Sequence, residues 1–195
     1  MKNTGIRKSV IAAGLVLVLA FAGTACTEKL YSDPDMTSTV TTESLDPMSF
    51  AAIDSKIRDY NFGINEYMKN HASEATQKKK TGSTPNGQEA ACTYTISADG
   101  KYESLQMEKN ISNGVQIDEY FNLGDSMFIA RTTVYNDGNF EPVDKYYIID
   151  GCLYKLDGSS DSVTLLVNIN DAAAAETKSN LDLYFTFDEI RALYA

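Results

Sequence analysis

The chain reads as an α+β domain in which a long N-terminal helix packs on a curved antiparallel meander sheet of seven or eight strands. Three observations predict this. Turn signals at Asp99-Gly100, Asn113-Gly114, Gly124-Asp125, Asp137-Gly138 and Asp150-Gly151 follow at spacings of 14, 11, 13 and 13 residues, which is the rhythm of consecutive hairpins. Ahead of them Phe50, Ile53, Ile57, Tyr60, Ile64 and Tyr67 recur at steps of 3, 4, 3, 4 and 3, lining one face of a helix. A hydrophobic content of 43% in 195 residues supplies a core for one domain.

Residues 1–25 carry Lys2, Arg7 and Lys8, no acidic side chain, and a 13-residue apolar run from Val10 to Ala22. A basic start, a short apolar run and small residues before a cleavage point describe a secretory signal. The run falls short of the ~20 residues that a spanning helix needs. Gly23, Thr24, Ala25 and Cys26 then resemble the lipobox of bacterial lipoproteins, in which small residues precede a cysteine that is diacylated on sulfur before cleavage. The family more often has Leu three residues before the cysteine, where this chain has Gly23. The resemblance covers about 26 residues and implies lipidation at Cys26 and an extracytoplasmic location at the bacterial membrane. Two or three acyl chains, at ~0.8 kcal/mol per buried methylene, suffice for stable anchoring.

From Cys26 onward the chain has 14 basic against 27 acidic side chains. So acidic a surface excludes the phosphate-neutralising patch of a nucleic-acid binder and is repelled by anionic headgroups. Membrane attachment is therefore assigned to the lipid. Residues 26–46 are rich in Thr, Ser, Asp and Glu and read as a flexible tether, because they cannot bury enough apolar surface to offset their ordering entropy. The folded domain is expected over residues 47–195.

Asp46 and Pro47 suit a helix N-cap and first turn, and the apolar stripe extends the helix to Asn70, with Gly63 as a candidate bend. The polar stretch His71 to Glu89, which contains Lys78, Lys79 and Lys80, reads as a long loop. Alternation at Cys92, Tyr94, Ile96 and Ala98, at Val115, Ile117, Phe121 and Leu123, at Val163, Leu165, Val167 and Ile169, and at Leu181, Leu183, Phe185 and Phe187 predicts strands. Met127 to Tyr135 and Tyr146 to Ile149 are apolar on both faces and predict central strands. The run Ala172 to Ala175 favours a short helical crossover, and Asp188 to Tyr194 a terminal helical turn. Helix followed by meander resembles the half-barrel of LolA-like lipoprotein carriers and the related mycobacterial lipid-binding lipoproteins. That likeness lies in architecture and implies lipid binding by analogy.

Motifs of catalysis are scarce. The one histidine, His71, sits at a frayed helix end, where an imidazole compensates the dipole. No cysteine and histidine pairs stand at metal-ligand spacing, and no phosphate loop appears, so neither metal nor cofactor is expected. The acidic turns 136–141 and 157–161 lack the ligand spacing of a calcium loop. Cys92 and Cys152, both in phase with apolar neighbours, are either a disulfide or two buried thiols. Tyr102, Tyr120, Tyr135, Tyr146, Tyr147, Tyr154 and Tyr184 form a candidate binding surface, since tyrosine offers an apolar body with a polar tip; tyrosine also suits strands for its own sake. These features predict a lipid-anchored protein with a non-enzymatic binding role, its partner an amphipathic small molecule, a lipid or a cell-envelope component. The alternative is a carboxylate-dependent hydrolase drawing on Asp118, Glu119, Asp144 or Asp150.

Overall fold

The computed structural model describes residues 48–194. The lipobox with Cys26, the tether and the Asp46-Pro47 cap lie outside these residues. Helix α1 (Phe50–His71) is followed by strands β1 (Thr76–Ser83), β2 (Glu89–Ile96), β3 (Glu103–Ile111), β4 (Gly114–Asn122), β5 (Ser126–Tyr135), β6 (Asp144–Ile149), β7 (Cys152–Asp157) and β8 (Ser162–Asn168), then by α2 (Ala174–Leu181) and α3 (Phe187–Ala192). The strands form one antiparallel sheet in sequence order, β1 to β8, so the class is α+β. The helix cap is Ser49, whose Oγ accepts a hydrogen bond from the Ala52 N–H at 3.3 Å.

All five turn signals join consecutive strands, though not all for the expected reason. Asp150 and Gly151 take φ of 50° and 71°, which a type I′ turn requires. Gly114 instead opens β4 where the backbone of β5 comes close: a Cβ there would overlap the Val134 carbonyl oxygen. Gly63 likewise permits a close approach rather than a bend, since α1 continues past it and a Cβ would strike the Tyr102 hydroxyl.

Two expectations are corrected. The stretch His71 to Glu89 contains strand β1, paired with β2 from Thr76 to Ser83. Its side chains are nearly all exposed, so no apolar alternation marks it, and backbone pairing alone makes it a strand. As a sheet edge it benefits from Lys78, Lys79 and Lys80, since charge discourages pairing with another chain. The alternating run from Leu181 to Phe187 is not a strand: α2 reaches Leu181, and residues 183–186 cross to α3 without joining the sheet. Leu183, Tyr184, Phe185, Phe187 and Ile190 of this segment are buried, which explains the apolar signal.

The C-terminal segment covers one face of the sheet. There Cys92, Tyr94, Leu105, Met107, Tyr120, Met127, Ile129, Tyr146, Ile148 and Leu153 form one core with Leu183 to Ile190. At ~25 cal/mol per Å² of apolar surface, burying each large side chain contributes about 1.5–3 kcal/mol. Two charged clasps hold the segment down. Asp118, 1% exposed, accepts from Arg131 Nε at 2.6 Å and Nη2 at 2.8 Å, while Arg131 Nη1 donates to the Leu181 carbonyl at 2.7 Å. Beside them Lys109 donates to Asp182 at 2.7 Å. Asp182 ends α2 in the left-handed region, φ 52°, which Asp tolerates better than most residues. The second clasp joins Arg191 of α3 to Glu103 of β3 by Nε at 2.9 Å and Nη2 at 2.6 Å.

Because Asp118 is the shared acceptor of a buried cluster, Asp118→Asn should destabilise the fold by about 3–5 kcal/mol, the cost of stranding a buried charge. Urea unfolding reads this directly. Acid should act on both clasps. Burial opposes ionisation of Glu103, but hydrogen bonds from Arg191, Tyr94 and Asn122 outweigh it and hold its carboxyl below 4.5. Asp182 is likewise held below 3.8 despite burial, chiefly by Lys109. A depressed folded pKa gives stability that is present above the unfolded pKa and lost as pH falls through the folded one. Amide exchange in residues 182–194 should therefore rise as pH drops below about 4.5, after correction for intrinsic exchange, and before exchange in β4 and β5 does.

Candidate functional site

On the opposite face α1 covers only part of the sheet. Ile53 and Ile57 are buried, and the Tyr60 ring packs edge-on against Phe121 at 6.0 Å. The Tyr60 hydroxyl donates to the Glu103 carbonyl at 3.0 Å and accepts from its N–H at 3.1 Å. Farther along, the Tyr67 hydroxyl accepts from the Ala98 N–H at 2.9 Å, and Lys56 pairs with Asp125. These contacts fix one flank of α1 against the β2–β3 and β4–β5 turns. Phe121, Phe128 and Tyr147, three side chains in register across β4, β5 and β6, fill the space on this face and are buried.

The other flank of α1 carries Asp54, Arg58 and Phe62 at four-residue steps. Arg58 Nε bonds Asp54 at 2.6 Å, and the charges of both act on Lys145 of β6, so this flank looks over the next row of the sheet: Gln106, Glu119, Ala130 and Lys145. Beyond that row, on the same face, lie Ile117 and Thr132, then Val115 and Val134, with Phe140 bridged to Val134. This part of the sheet is not covered: Phe62 and Phe140 are 71% and 74% exposed, and Val134 and Val143 are also open to solvent. The result is an apolar shelf walled on one side by α1. It measures about 13 Å along the strands, from Glu119 to Val115, and about 14 Å across β3 to β6, at ~3.3 Å per residue and ~4.8 Å per strand.

Two polar groups at the shelf's inner edge are unmatched. Asn61, 8% exposed, lies on the sheet-facing stripe of α1 next to Phe62, and neither its Oδ1 nor its Nδ2 has a partner. The carboxyl of Glu119 is pushed upward by burial alone, and among the described residues no donor reaches it. Burial without hydrogen bonds costs free energy, so both groups are fit for a visiting polar atom.

Two other recesses are internally satisfied. A cleft of ≈ 360 Å³ between α1 and the turns is lined by Lys56, Tyr60, Tyr102 and Asn122 among others. Its Lys56 and Tyr60 already hold Asp125 and the Glu103 backbone. A shallow recess of ≈ 510 Å³ lies among Asn113, Tyr135, Asn136, Asp137 and Asn139; there Tyr135 donates to Glu141 and Asp137 accepts from Asn139.

The candidate tyrosine surface separates into two groups. Tyr120, Tyr146, Tyr147 and Tyr184 are buried and belong to the core, where their rings supply packing area and strand propensity explains their placement. Tyr102, Tyr135 and Tyr154 remain partly open, the first two in the recesses just described. Cys92 and Cys152 are free thiols on β2 and β7, with four strands between them; that is about 24 Å at ~4.8 Å per strand, far beyond disulfide reach. The four carboxylates named for hydrolysis are not brought together. Asp118 and Glu119 point to opposite faces of β4, Asp144 pairs with Lys155 at 2.9 Å, and Asp150 sits in a turn. His71 stands in a surface pair with Glu74 at 2.9 Å. Among the described residues no group of three or more His, Cys, Asp or Glu is placed to hold a metal.

The shelf itself escaped sequence reading because its residues come from α1, β4, β5 and the segment after β5. One signal was present: Val134 and Val143 flank Phe140 in a stretch otherwise polar. No protein family, curated protein or solved structure matches the chain.

If Glu119 is held in this environment by the fold alone, Glu119→Gln should raise the thermal midpoint at pH 7. A carboxyl whose folded pKa is raised favours folding while protonated and opposes it as pH rises through that pKa. The gain should therefore shrink as pH falls toward 4, and differential scanning calorimetry at the two pH values checks it.

Proposed function

We propose that the protein is a membrane-anchored, extracytoplasmic lipoprotein whose domain binds an amphipathic small molecule without catalysing a reaction. The observation that carries this reading is the uncovered apolar shelf beside α1, with Phe62 and Phe140 both more than two-thirds exposed. Its extent favours a small ligand over a protein, since it is roughly a quarter of the ~800 Å² that a standard interface takes from each partner. Contiguous exposed apolar surface with convergent polar groups marks ligand grooves. Attachment through Cys26 is supported by the basic, apolar and small-residue order of residues 1–26, and the likeness to LolA-like carriers by element order alone.

The neutral dye Nile red, titrated into the full chain, should bind saturably, and the double variant Val134→Ser with Phe140→Ser should lose most of that binding. Both side chains are partly open, so stability should change by only about 0.5 kcal/mol per site. Unchanged dye binding in the variant would place the ligand elsewhere. For the anchor, metabolic labelling with a palmitate analogue should mark the protein and fail to mark Cys26→Ala; a protein unlabelled in both forms contradicts lipidation.

A further inference from the structure

Resting on the shelf reading above, we propose that the ligand's polar head is cationic: an ammonium or guanidinium group, seated between Glu119 and Asn61, on an apolar body lying over Ile117 and Val134. Two observations converge. Asn61 is nine-tenths buried with both side-chain polar atoms unpartnered, and an amide that gains a donor at Oδ1 recovers a hydrogen bond it lacks. Glu119 is an acceptor with no donor from the described protein, at the inner end of the apolar strip that runs through Ile117 and Val115 along β4. An ionised acceptor there forms a hydrogen bond roughly twice as strong as a neutral one.

The surrounding charges agree in sign. Glu108 lies on the same sheet face in the next row, opposite Ile117. Asp54 and Arg58 of α1 neutralise each other through their 2.6 Å bond. Lys145 stands two strands from Glu119, and Asp54 is an acidic group that acts on it. An anionic head would meet Glu119 and Glu108 together; a cationic head meets an acceptor that nothing else occupies. The whole chain, at a formal charge of −10, adds long-range attraction of the same sign.

Displacement of Nile red from the full chain at pH 7 by octylamine, octanol and octanoate separates the head-group assignment from the shelf itself. Octylamine should displace the dye at about tenfold lower concentration than octanol, one charged hydrogen bond's worth of affinity, with octanoate weakest. Glu119→Gln should bring octylamine to the octanol value while leaving octanol unchanged, and Asn61→Leu should weaken octylamine while raising the thermal midpoint. Equal displacement by octylamine and octanol in the unaltered chain, or stronger displacement by octanoate, overturns the cationic head and leaves the shelf standing. Failure of all three probes overturns the shelf reading and this inference together.

Discussion

The buried ion pair of Asp118 and Arg131 organises this domain. It joins neighbouring central strands, and through Arg131 it grips the backbone at Leu181 and Asp182, where the chain turns from α2 toward α3. Lys109, within 3.9 Å of Asp118 and 2.7 Å of Asp182, extends the cluster to a third strand. Buried ion pairs are seldom stabilising in themselves, because desolvation consumes most of the Coulombic gain. Their value here is positional: Arg131 and Lys109 are met by the Leu181 and Asp182 carbonyls and the Asp182 carboxylate, which fixes where the C-terminal segment lies. That segment has little regular structure of its own between α2 and α3, and its apolar side chains cover the sheet only when it is held in place.

The two faces of the sheet are consequently unequal. One is closed by a segment that is clasped at Asp182 and again at Arg191. The other carries a single helix, fixed at its flank by Tyr60, Tyr67 and Lys56, and the width of one helix leaves the Val115 to Val134 side of β4 and β5 bare. Strands β4 and β5, of 9 and 10 residues, are about 30 Å long at ~3.3 Å per residue, against a diameter of about 10 Å for the helix that crosses them. The shelf follows from that mismatch in size. Its unmatched Glu119 and Asn61 are a cost that folding alone would not select, and such departures from internal consistency are expected at functional sites.

Local patterns made much of the fold legible. The helix stripe, the five turn signals and the alternation from Val163 to Ile169 located α1 and seven of the eight strands, since all depend on neighbours in sequence. What escaped depended on neighbours in space. β1 is a strand because β2 offers it a ladder of hydrogen bonds, and TQKKKTGS carries no trace of that. Leu181 to Phe187 alternates like a strand, yet Asp182 has its carboxylate drawn to Lys109 and Asn86, and the chain leaves the sheet there. The tyrosines show the same limit. Tyr120 and Tyr102 look alike in sequence, but one lies under the C-terminal segment and the other beside α1 at the rim. Asn61 is invisible as a site residue because it stands off the apolar stripe, where the helix pattern predicts a wet side chain, whereas the structure buries it without a partner.

The central claim is that one face of the sheet is closed and the other is open beside α1. Photolabelling of the full chain with a neutral aliphatic diazirine, followed by peptide mapping, measures this directly. Label concentrated in residues 58–65 and 132–143 is the predicted result. Label concentrated in residues 90–96 and 183–190 would contradict it, by showing that the clasped segment opens and that the ligand surface lies beneath it.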